Sequence, residues 1–315
     1  MNQLLIIGTL PETSGVGGVT IHIERLLQWL EHEKYPHDFC DYRTTSLIRQ
    51  IRDIWKHKII HYHMSNPVVR LSYTVLAKIL NKKVIFTFHG DFGRFGRFRN
   101  LMDRITIRLC DIPITINKKS YEKSYTINKN SKLLSAFLPP LNDGEIPLWV
   151  VSQVQRFQRS KKKVFSTNAS TLAYTHDGKE IYGIEFLINF FKKRKDDILV
   201  ISDPSGMYEK KHHGENLFFI TSSHSTYALY RYVNGNIRAT ATDGDSLSVR
   251  ESLSLGIPTI ATDCVDRPEG TILFKYNNEE SLKQALEIAE KKNEKIIFQE
   301  ENSIRKVLKI YKSCI

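Results

Sequence analysis

Residues 242–258 read TDGDSLSVRESLSLGIP, and this stretch governs the interpretation of the whole chain. Small and acidic residues lead into a helical pattern, which the turn at 256–258 (GIP) ends before a strand-like run. The first turn of such a helix offers unpaired backbone N–H groups and the positive end of the helix dipole, which suit an anion such as a diphosphate. The alternative is that Asp243 or Ser246 caps the helix and that Glu251 is solvated.

The same alternation of strand and helix runs through both halves of the chain, and it predicts parallel sheets covered by helices. In the first half, strands are predicted at 3–8, 58–62, 83–88 and 112–116, and helices at 18–33 and 68–80. In the second half, strands are predicted at 163–166, 197–202, 217–220 and 257–261, and helices at 184–194, 246–255, 279–291 and 301–312.

The proline-rich segment 138–148 is the best candidate for an interdomain linker. We therefore predict an α/β fold of two facing Rossmann-like domains, residues 1–145 and 146–315, the second including the closing helix. Ligands of such sheets bind outside the carboxyl ends of the strands, so the cleft between the two domains is the expected site.

Composition narrows the class of protein. The chain has 315 residues, 41% of them hydrophobic, and no apolar run long enough for a membrane span. The short apolar run 4–7 predicts a first strand rather than a signal peptide. The four cysteines are far apart, which predicts free thiols and a cytoplasmic protein. The net charge of +12 is compatible with nucleic acid, an anionic membrane or a phosphorylated ligand.

The stretch 242–258 resembles the C-terminal signature of group 1 (family 4) GT-B glycosyltransferases, in the form found in bacterial surface-polysaccharide enzymes. The resemblance implies that Glu251 holds the ribose and Asp243 faces the donor sugar. It also implies that the segment around Gly244, with the backbone amides of Asp245, Ser246 and Leu247, meets the phosphates. The sequence departs from the family at Asp243, where glutamate is usual.

Two stretches of the first half resemble the same family. Gly17 and Gly18 begin GGVTIHIERL, which is similar to the loop against the donor's reacting end, and His22 of this stretch is assigned to the acceptor side. His89, in FTFHGD, resembles the active-site histidine and follows a predicted strand. His61 and His63 are expected near the same strand ends. Their spacing also suits a metal, but no other ligand cluster accompanies it in the sequence, so no metal is predicted.

A third region departs from the family. Asn168 lies near the position of an expected arginine, and Tyr182-Gly183 stands where Lys-Gly is usual. A leaving diphosphate needs positive charge. Lys179, Arg250 and Arg267 are the candidate cations that replace the missing pair.

The segment 92–108, FGRFGRFRNLMDRITIR, interleaves arginine with phenylalanine. Such a segment suits a membrane surface or a lipid pyrophosphate, single-stranded nucleic acid, or simply solvent. Because it directly follows His89, we assign Arg94, Arg97 and Arg99 to the acceptor and membrane side.

The resemblance implies a retaining glycosyltransferase without a metal or other cofactor. The donor is a nucleotide-sugar, and the acceptor is a saccharide or a polyprenyl-diphosphate-linked saccharide. We expect a role in cell-surface polysaccharide synthesis (O-antigen, capsule or exopolysaccharide) and peripheral contact with the inner membrane face. The competing hypotheses are a sugar-nucleotide epimerase or hydrolase on the same fold, a catalytically weakened binding subunit, and a nucleic-acid-binding protein. No nucleic-acid module is recognisable, so no nucleic-acid partner is expected.

Overall fold

The computed structural model describes residues 3–14, 17–93, 96–291 and 303–314. The chain divides into two compact units, here called unit 1 (residues 1–141 and 301–315) and unit 2 (residues 142–300). The first boundary lies inside the proline-rich segment 138–148, four residues before the predicted one.

Unit 1 is built around a six-stranded parallel sheet in the order β2-β1-β3-β4-β5-β6. Its strands are β1 (Leu4–Gly8), β2 (His37–Asp41), β3 (Ile59–Tyr62), β4 (Lys83–Phe88), β5 (Ile112–Thr115) and β6 (Lys132–Leu133). Its helices are α1 (Pro11–Ser14), α2 (Gly18–His32), α3 (Leu47–Lys56), α4 (Pro67–Ile79), α5 (Arg97–Leu109), α6 (Lys118–Ile127) and α12 (Ser303–Ser313).

Unit 2 repeats this plan with the strand order β12-β11-β10-β7-β8-β9, again parallel. Its strands are β7 (Lys163–Asn168), β8 (Asp197–Ser202), β9 (Leu217–Ile220), β10 (Gly235–Arg238), β11 (Thr259–Thr262) and β12 (Ile272–Phe274). Its helices are α7 (Leu148–Arg159), α8 (Ile184–Phe191), α9 (Thr226–Tyr230), α10 (Leu247–Ser254) and α11 (Glu279–Lys291).

The sheet of unit 1 is covered on both faces, which is why a central strand such as β1 is a continuous apolar run. Along β1, alternate side chains point to opposite faces: Leu5 and Ile7 join the cluster that contains Ile54 of α3. Leu4 and Ile6 join a second cluster that contains residues of α2 and α12. One face is thus covered by α3, α4 and α5, and the other by α2 and α12.

The closing helix corrects the predicted domain organisation, which assigned it to the second domain. In the structure α12 belongs to unit 1, where Ile304, Val307 and Tyr311 are buried in the same cluster as Leu4 and Ile6. The reason is its apolar face, which the parallel sheet of unit 1 can bury. Among the described residues, no helix is both long and apolar enough to cross a membrane.

Candidate functional site

Helix α10 of unit 2 carries the predicted anion site. It begins at Leu247, and the preceding residue, Ser246, has extended backbone geometry but no capping hydrogen bond from its side chain. The Ser246 hydroxyl instead meets Ser248 Oγ at 3.1 Å. Asp243 accepts from the backbone N–H of Gly244 at 3.0 Å, ahead of the helix. The alternative that Ser246 caps α10 is therefore wrong.

Asp243 is held by two arginines. Arg238 Nε donates to its Oδ2 at 3.1 Å, Arg267 Nη1 donates to the same oxygen at 2.9 Å, and Thr240 Oγ1 lies 3.2 Å away. Burial alone would raise the pKa of Asp243, but the two guanidiniums outweigh it and lower the pKa to about 2. Asp243 is therefore an ionised carboxylate that pairs with two guanidinium groups.

The candidate cations differ in their environments. The side chain of Arg267 is buried, whereas Lys179 is exposed and pairs with Asp177 at 2.8 Å. Arg250 donates to Asp245, one turn away at the start of α10. Of the three predicted cations, only Arg267 contacts Asp243 in the described contacts.

Arg238 is a site residue that the sequence analysis missed. It ends β10, and its guanidinium lies 5.3 Å from the centre of the Tyr182 ring. Its Nη1 also lies 3.5 Å from the backbone oxygen of Asn168, at the end of the neighbouring strand β7. A single arginine at the end of the short strand GNIR was the available signal, because the carboxyl end of a strand is where such sheets bind ligands.

Asn168 and Gly183 occupy the region where the family's cations are missing. The side-chain oxygen of Asn168 is buried without a hydrogen-bond partner among the described residues. Gly183 has a positive φ of 64°, and a Cβ there would lie 2.0 Å from the backbone oxygen of Ala239. Glycine is thus required for α8 to begin this close to the end of β10, whichever residue precedes it.

Glu251 lies within α10 and is only 3% exposed. The alternative that it is solvated is therefore wrong. Carboxylates are rarely buried without a partner, so the burial of Glu251 indicates a structural or a binding role.

In unit 1, the predicted glycine loop leads into α2. Gly17 is the N-terminal cap of α2, Gly18 is its first residue, and Thr20 Oγ1 accepts from the Gly17 N–H at 3.0 Å. The helix carries His22 into the interior, where its Nδ1 donates to the backbone oxygen of Ala136 at 2.7 Å.

His22, His63 and His89 come together in unit 1 and form what is here called the histidine cluster. His63 and His89 directly follow the paired strands β3 and β4, and His63 Nδ1 lies 2.9 Å from His89 Nε2. Burial first, and the neighbouring imidazoles second, lower the pKa of His63 and His89 well below the usual value. Both rings are therefore neutral at pH 7.

His61 is near the cluster but has other partners. Its Nδ1 meets the Tyr311 hydroxyl at 2.6 Å, and its Nε2 meets Thr87 Oγ1 at 2.8 Å. Burial, with His22 as the second cause, lowers the pKa of His61 to about 3. His61 is therefore a neutral core residue that fixes α12 to the sheet.

A small cavity beside His89 contains a second charged residue that the sequence analysis missed. Arg70, on α4, lines this cavity with Gly90 and Asp91. Arg70 is buried, pairs with Asp103 at 3.2 Å and lies over the ring of Phe88. The helical period of α4 gave no sign that this arginine points inward.

The predicted acceptor segment forms the start of α5. Arg97 and Arg99 are exposed in its first turn, as is Phe98. Arg94 lies outside the described residues.

No protein-family model matches the sequence, and no curated protein matches it. Solved structures do. Anabaena HepE in complex with UDP superposes with a TM-score of 0.71 at 11% identity, covering 99% of this chain and all of that one. The lipopolysaccharide outer core galactosyltransferase WaaB gives 0.63 at 14% identity, with 99% of each chain covered.

An epimerase is also among the similar structures. UDP-GlcNAc 2-epimerase from Methanocaldococcus jannaschii gives a TM-score of 0.57 at 13% identity, covering 99% of this chain and 100% of the other. The predicted fold class is confirmed: the chain has the two Rossmann-like α/β domains of the GT-B fold. That fold is shared by nucleotide-sugar glycosyltransferases and some epimerases, so it does not by itself select one activity.

Proposed function

We propose that this chain is a nucleotide-sugar-dependent glycosyltransferase whose donor binds unit 2. The observation that carries the proposal is the grouping of two arginines around Asp243: Arg238 ends β10, and Arg267 lies in the loop after β11. Asp243 itself lies just ahead of α10, where Ser246 makes no capping hydrogen bond with its side chain. Guanidiniums and helix N–H groups are the donors that a diphosphate requires. The HepE structures, which contain UDP and UDP-glucose, support a donor of this class.

The two arginines bear on the hypothesis of a weakened binding subunit. That hypothesis rests on the missing Arg/Lys pair and on Asp243 in place of the usual glutamate. Buried guanidiniums can supply the charge of the missing pair from other positions. We propose that Arg238 and Arg267 stabilise the leaving diphosphate. Asp243, which pairs with both guanidinium groups, would orient them and face the donor sugar. Glu251 is proposed to accept hydrogen bonds from the ribose hydroxyls. The side-chain oxygen of Asn168, which has no hydrogen-bond partner among the described residues, is proposed to accept a hydrogen bond from the bound nucleotide-sugar.

In unit 1, we propose that the neutral imidazole of His89 acts at the transfer step. A neutral ring can accept a proton or a hydrogen bond from a hydroxyl, which an imidazolium cannot do. His63, at 2.9 Å, orients it. The resemblance implies retention of anomeric configuration, and both this and the independence of transfer from a metal stay predictions.

We further propose an acceptor that is a saccharide or a lipid-linked saccharide of a cell-surface polysaccharide. WaaB, a lipopolysaccharide outer core galactosyltransferase, supports this substrate class. The exposed Arg97, Phe98 and Arg99 of α5 suit a lipid pyrophosphate or an anionic membrane, so the protein would act as a peripheral membrane protein.

The first test is a thermal-shift panel of UDP, GDP and ADP with their common sugar conjugates. A ligand that binds only the folded state raises the Tm, and at 100 times its Kd it adds about 2.7 kcal/mol of stability. The best ligand then enters a transfer assay with saccharide acceptors. His89→Ala should abolish most turnover and keep the Tm shift, whereas Arg267→Gln should weaken both. A panel without any shift contradicts the donor proposal.

The M. jannaschii neighbour favours a second candidate, a sugar-nucleotide epimerase. This reaction needs no sugar acceptor. Incubation with UDP-GlcNAc alone, followed by NMR of the sugar, separates the two activities: a new epimer in the absence of acceptor favours the epimerase, and product that forms only with acceptor favours the transferase.

A further inference from the structure

Arg70 is a buried arginine that contacts both of the segments carrying the pair His63–His89. It lies on α4 and is only 5% exposed. Its Nη2 donates to the backbone oxygen of Ser65, two residues after His63, at 2.6 Å. Its guanidinium also lies 5.0 Å from the centre of the ring of Phe88, the residue directly before His89. One side chain therefore connects the end of β3 to the end of β4.

The rings of β4 hold the guanidinium in one orientation. Phe86 and Phe88 are two residues apart on a strand, so their side chains lie on the same face of the sheet. The guanidinium carbon of Arg70 lies 5.6 Å from the first ring centre and 5.0 Å from the second. Asp103 of α5, which is 1% exposed, supplies the balancing carboxylate at 3.2 Å. A planar fork can lie on aromatic faces while it donates to a carbonyl and a carboxylate, whereas an ammonium group cannot.

The contact between the two imidazoles also depends on charge. His63 Nδ1 lies 2.9 Å from His89 Nε2, so one ring donates and the other accepts, and the two cannot both be protonated. Burial is the first cause that lowers the pKa of His89, and the neighbouring imidazoles and the guanidinium of Arg70 lower it further. Arg70 thus favours the neutral ring that the pair requires.

Other charged groups around the pair have partners of their own. Asp91 lines the same cavity as His89 and accepts from Asn117 Nδ2 at 3.0 Å. Among the described residues, the titratable and charged groups that face His89, or the guanidinium beside it, are His22 on α2, His61 in β3, His63 after β3, Arg70 on α4, Asp91 after β4 and Asp103 on α5. The two carboxylates are engaged by Asn117 and Arg70, so neither is left to pair with an imidazolium.

We propose that Arg70 is a positioning residue for the transfer step: it fixes the segments after β3 and β4 so that His63 can orient His89 towards the substrate. This inference rests on the proposed role of His89. Arg70 acts through the histidines and does not need to touch the substrate. Displacing a reacting group by about 1 Å can cost about 100-fold in rate, so a residue that fixes two segments can matter as much as one that reacts.

The first test compares Arg70→Lys with the wild type in the transfer assay. Lysine keeps the charge opposite Asp103 but lacks the planar fork, so the two segments lose their common partner. We expect kcat to fall about 10- to 100-fold. The donor KM and the Tm shift caused by the diphosphate should stay the same, because the donor is proposed to bind unit 2.

The second test follows the titration of His89 by NMR and needs no activity. The His89 signal is identified as the one that is missing from His89→Ala. Arg70→Met alone would leave Asp103 buried without its partner, so the double variant Arg70→Met/Asp103→Leu removes both charges. In the wild type, His89 should stay neutral well below pH 6.5. In the double variant the midpoint should move to higher pH, because Arg70 lines the cavity with His89 and Asp103 does not. The acid limb of the pH profile of kcat should move with it.

The matched control is Lys78→Met, which removes a cation from the same helix. Lys78 pairs with Asp111 at 2.9 Å, at the amino ends of β4 and β5 and thus at the opposite end of the strands from His89. Loss of this pair should lower the Tm, but kcat and the titration of His89 should not change. A residue with a merely structural role should behave as Lys78 does.

Two outcomes would overturn the proposal: a folded Arg70→Lys variant with the kcat of the wild type, or an unchanged His89 titration in the folded double variant. If the double variant does not fold, Arg70→Lys decides alone. A titration that moves as expected, in a protein that transfers no sugar from any donor, would contradict the proposed function. It would still support Arg70 as the residue that positions the histidine pair.

Discussion

At the scale of single residues, the carboxylate of Asp243 shows how a buried charge is kept ionised. Its two oxygens accept from Arg238 and Arg267, and its pKa falls to about 2. The folded-state pKa is therefore lower than the ordinary value of 3.8. A carboxylate of this kind stabilises the folded state above the unfolded pKa, and the contribution is lost as the pH falls through the folded pKa.

We predict that Asp243→Asn removes this contribution and leaves two buried guanidiniums without their anion. The ionisation alone is worth about 2 kcal/mol at pH 5, of which roughly half is lost by pH 3. The difference in unfolding free energy between wild type and variant should therefore shrink between pH 5 and pH 3 in urea denaturation. The exposed Asp196→Asn is the control, and a difference that stays constant with pH would refute the ion-pair account.

A second residue-scale prediction concerns Glu251. A charged hydrogen bond to a ribose hydroxyl contributes about 1.5–3 kcal/mol to binding, so Glu251→Ala should lower nucleoside-diphosphate affinity about 10- to 150-fold. Because Glu251 is buried, the Tm must be checked, and Glu251→Gln serves as the smaller change. Calorimetry against the exposed Glu287→Ala control measures the effect. Unchanged affinity in a folded Glu251 variant removes this residue from the donor site.

The sequence could predict Asp243, Glu251 and His89 as candidate residues because Asp243 precedes a helix, Glu251 lies one turn inside the same helix, and His89 follows a strand. It could not predict which side chains meet. Arg238 and Arg267 are 29 positions apart in the sequence and converge only because β10 and β11 are neighbours in the sheet. Arg70 was hidden for a similar reason: its buried partner, Asp103, lies on a helix that follows two elements later.

At the scale of elements, long apolar runs such as β1 and β8 were predictable, since strands buried on both faces are continuously hydrophobic. The strand β2, with the sequence HDFCD, was not, because it lies at the sheet edge and is only partly buried. The placement of α12 was equally hidden. An amphipathic pattern predicts that a helix will bury one face, but it does not identify the sheet that receives it.

We predict that Tyr311→Phe destabilises unit 1, because the Tyr311 hydroxyl bonds His61 across 250 positions of sequence. Loss of this partner leaves a buried imidazole nitrogen unsatisfied, at a cost of about 1–3 kcal/mol. Urea denaturation measures the change. Tyr125→Phe, at a partly exposed position of the same unit, should change the unfolding free energy by less than about 0.5 kcal/mol. Equal effects of the two variants would show that the bond to His61 does not secure α12.

At the scale of the whole molecule, part of the net charge of +12 lies on a surface that could contact an anionic membrane. Helices α3 and α5 cover the same face of the unit 1 sheet, as Ile54 and Ile107 share one buried cluster. Their outer surfaces combine apolar and basic side chains. The exposed apolar residues are Leu47, Ile48, Ile51 and Trp55 on α3, and Phe98, Leu101 and Ile105 on α5. The exposed basic residues are Arg49, Arg52 and Lys56 on α3, and Arg97, Arg99, Arg104 and Arg108 on α5.

This combination is typical of surfaces that lie on anionic membranes, with apolar groups at the acyl boundary and cations among the headgroups. The sequence analysis found the arginines of α5 but predicted no helix at α3. In the structure α3 buries chiefly Gln50 and Ile54 and exposes the larger side chains. Exposed apolar and basic side chains are therefore not confined to the segment 92–108.

We predict that changing Arg94, Arg97 and Arg99 together to serine weakens binding to vesicles containing anionic lipid. Each basic residue near such a surface contributes about 1 kcal/mol to binding at physiological ionic strength. The triple variant should therefore bind on the order of 100-fold more weakly, and the difference should become smaller at high salt, which screens the charges. Trp55→Ala should also weaken binding, but with little dependence on salt, because it removes apolar area. Co-sedimentation with vesicles measures both.

The control for this experiment must remove the same charge elsewhere. Changing the exposed Lys195, Lys210 and Lys283 of unit 2 to serine lowers the net charge equally, so any loss shared with the arginine variant reflects charge alone. A loss confined to the unit 1 variants locates the membrane contact on α3 and α5. Fluorescence anisotropy with single-stranded oligonucleotides tests whether nucleic acid is the partner instead. Tight, salt-sensitive binding to oligonucleotides without vesicle binding would favour nucleic acid. Phosphate backbones attract the same arginines as an anionic membrane does, but they have no acyl boundary into which Trp55 could insert.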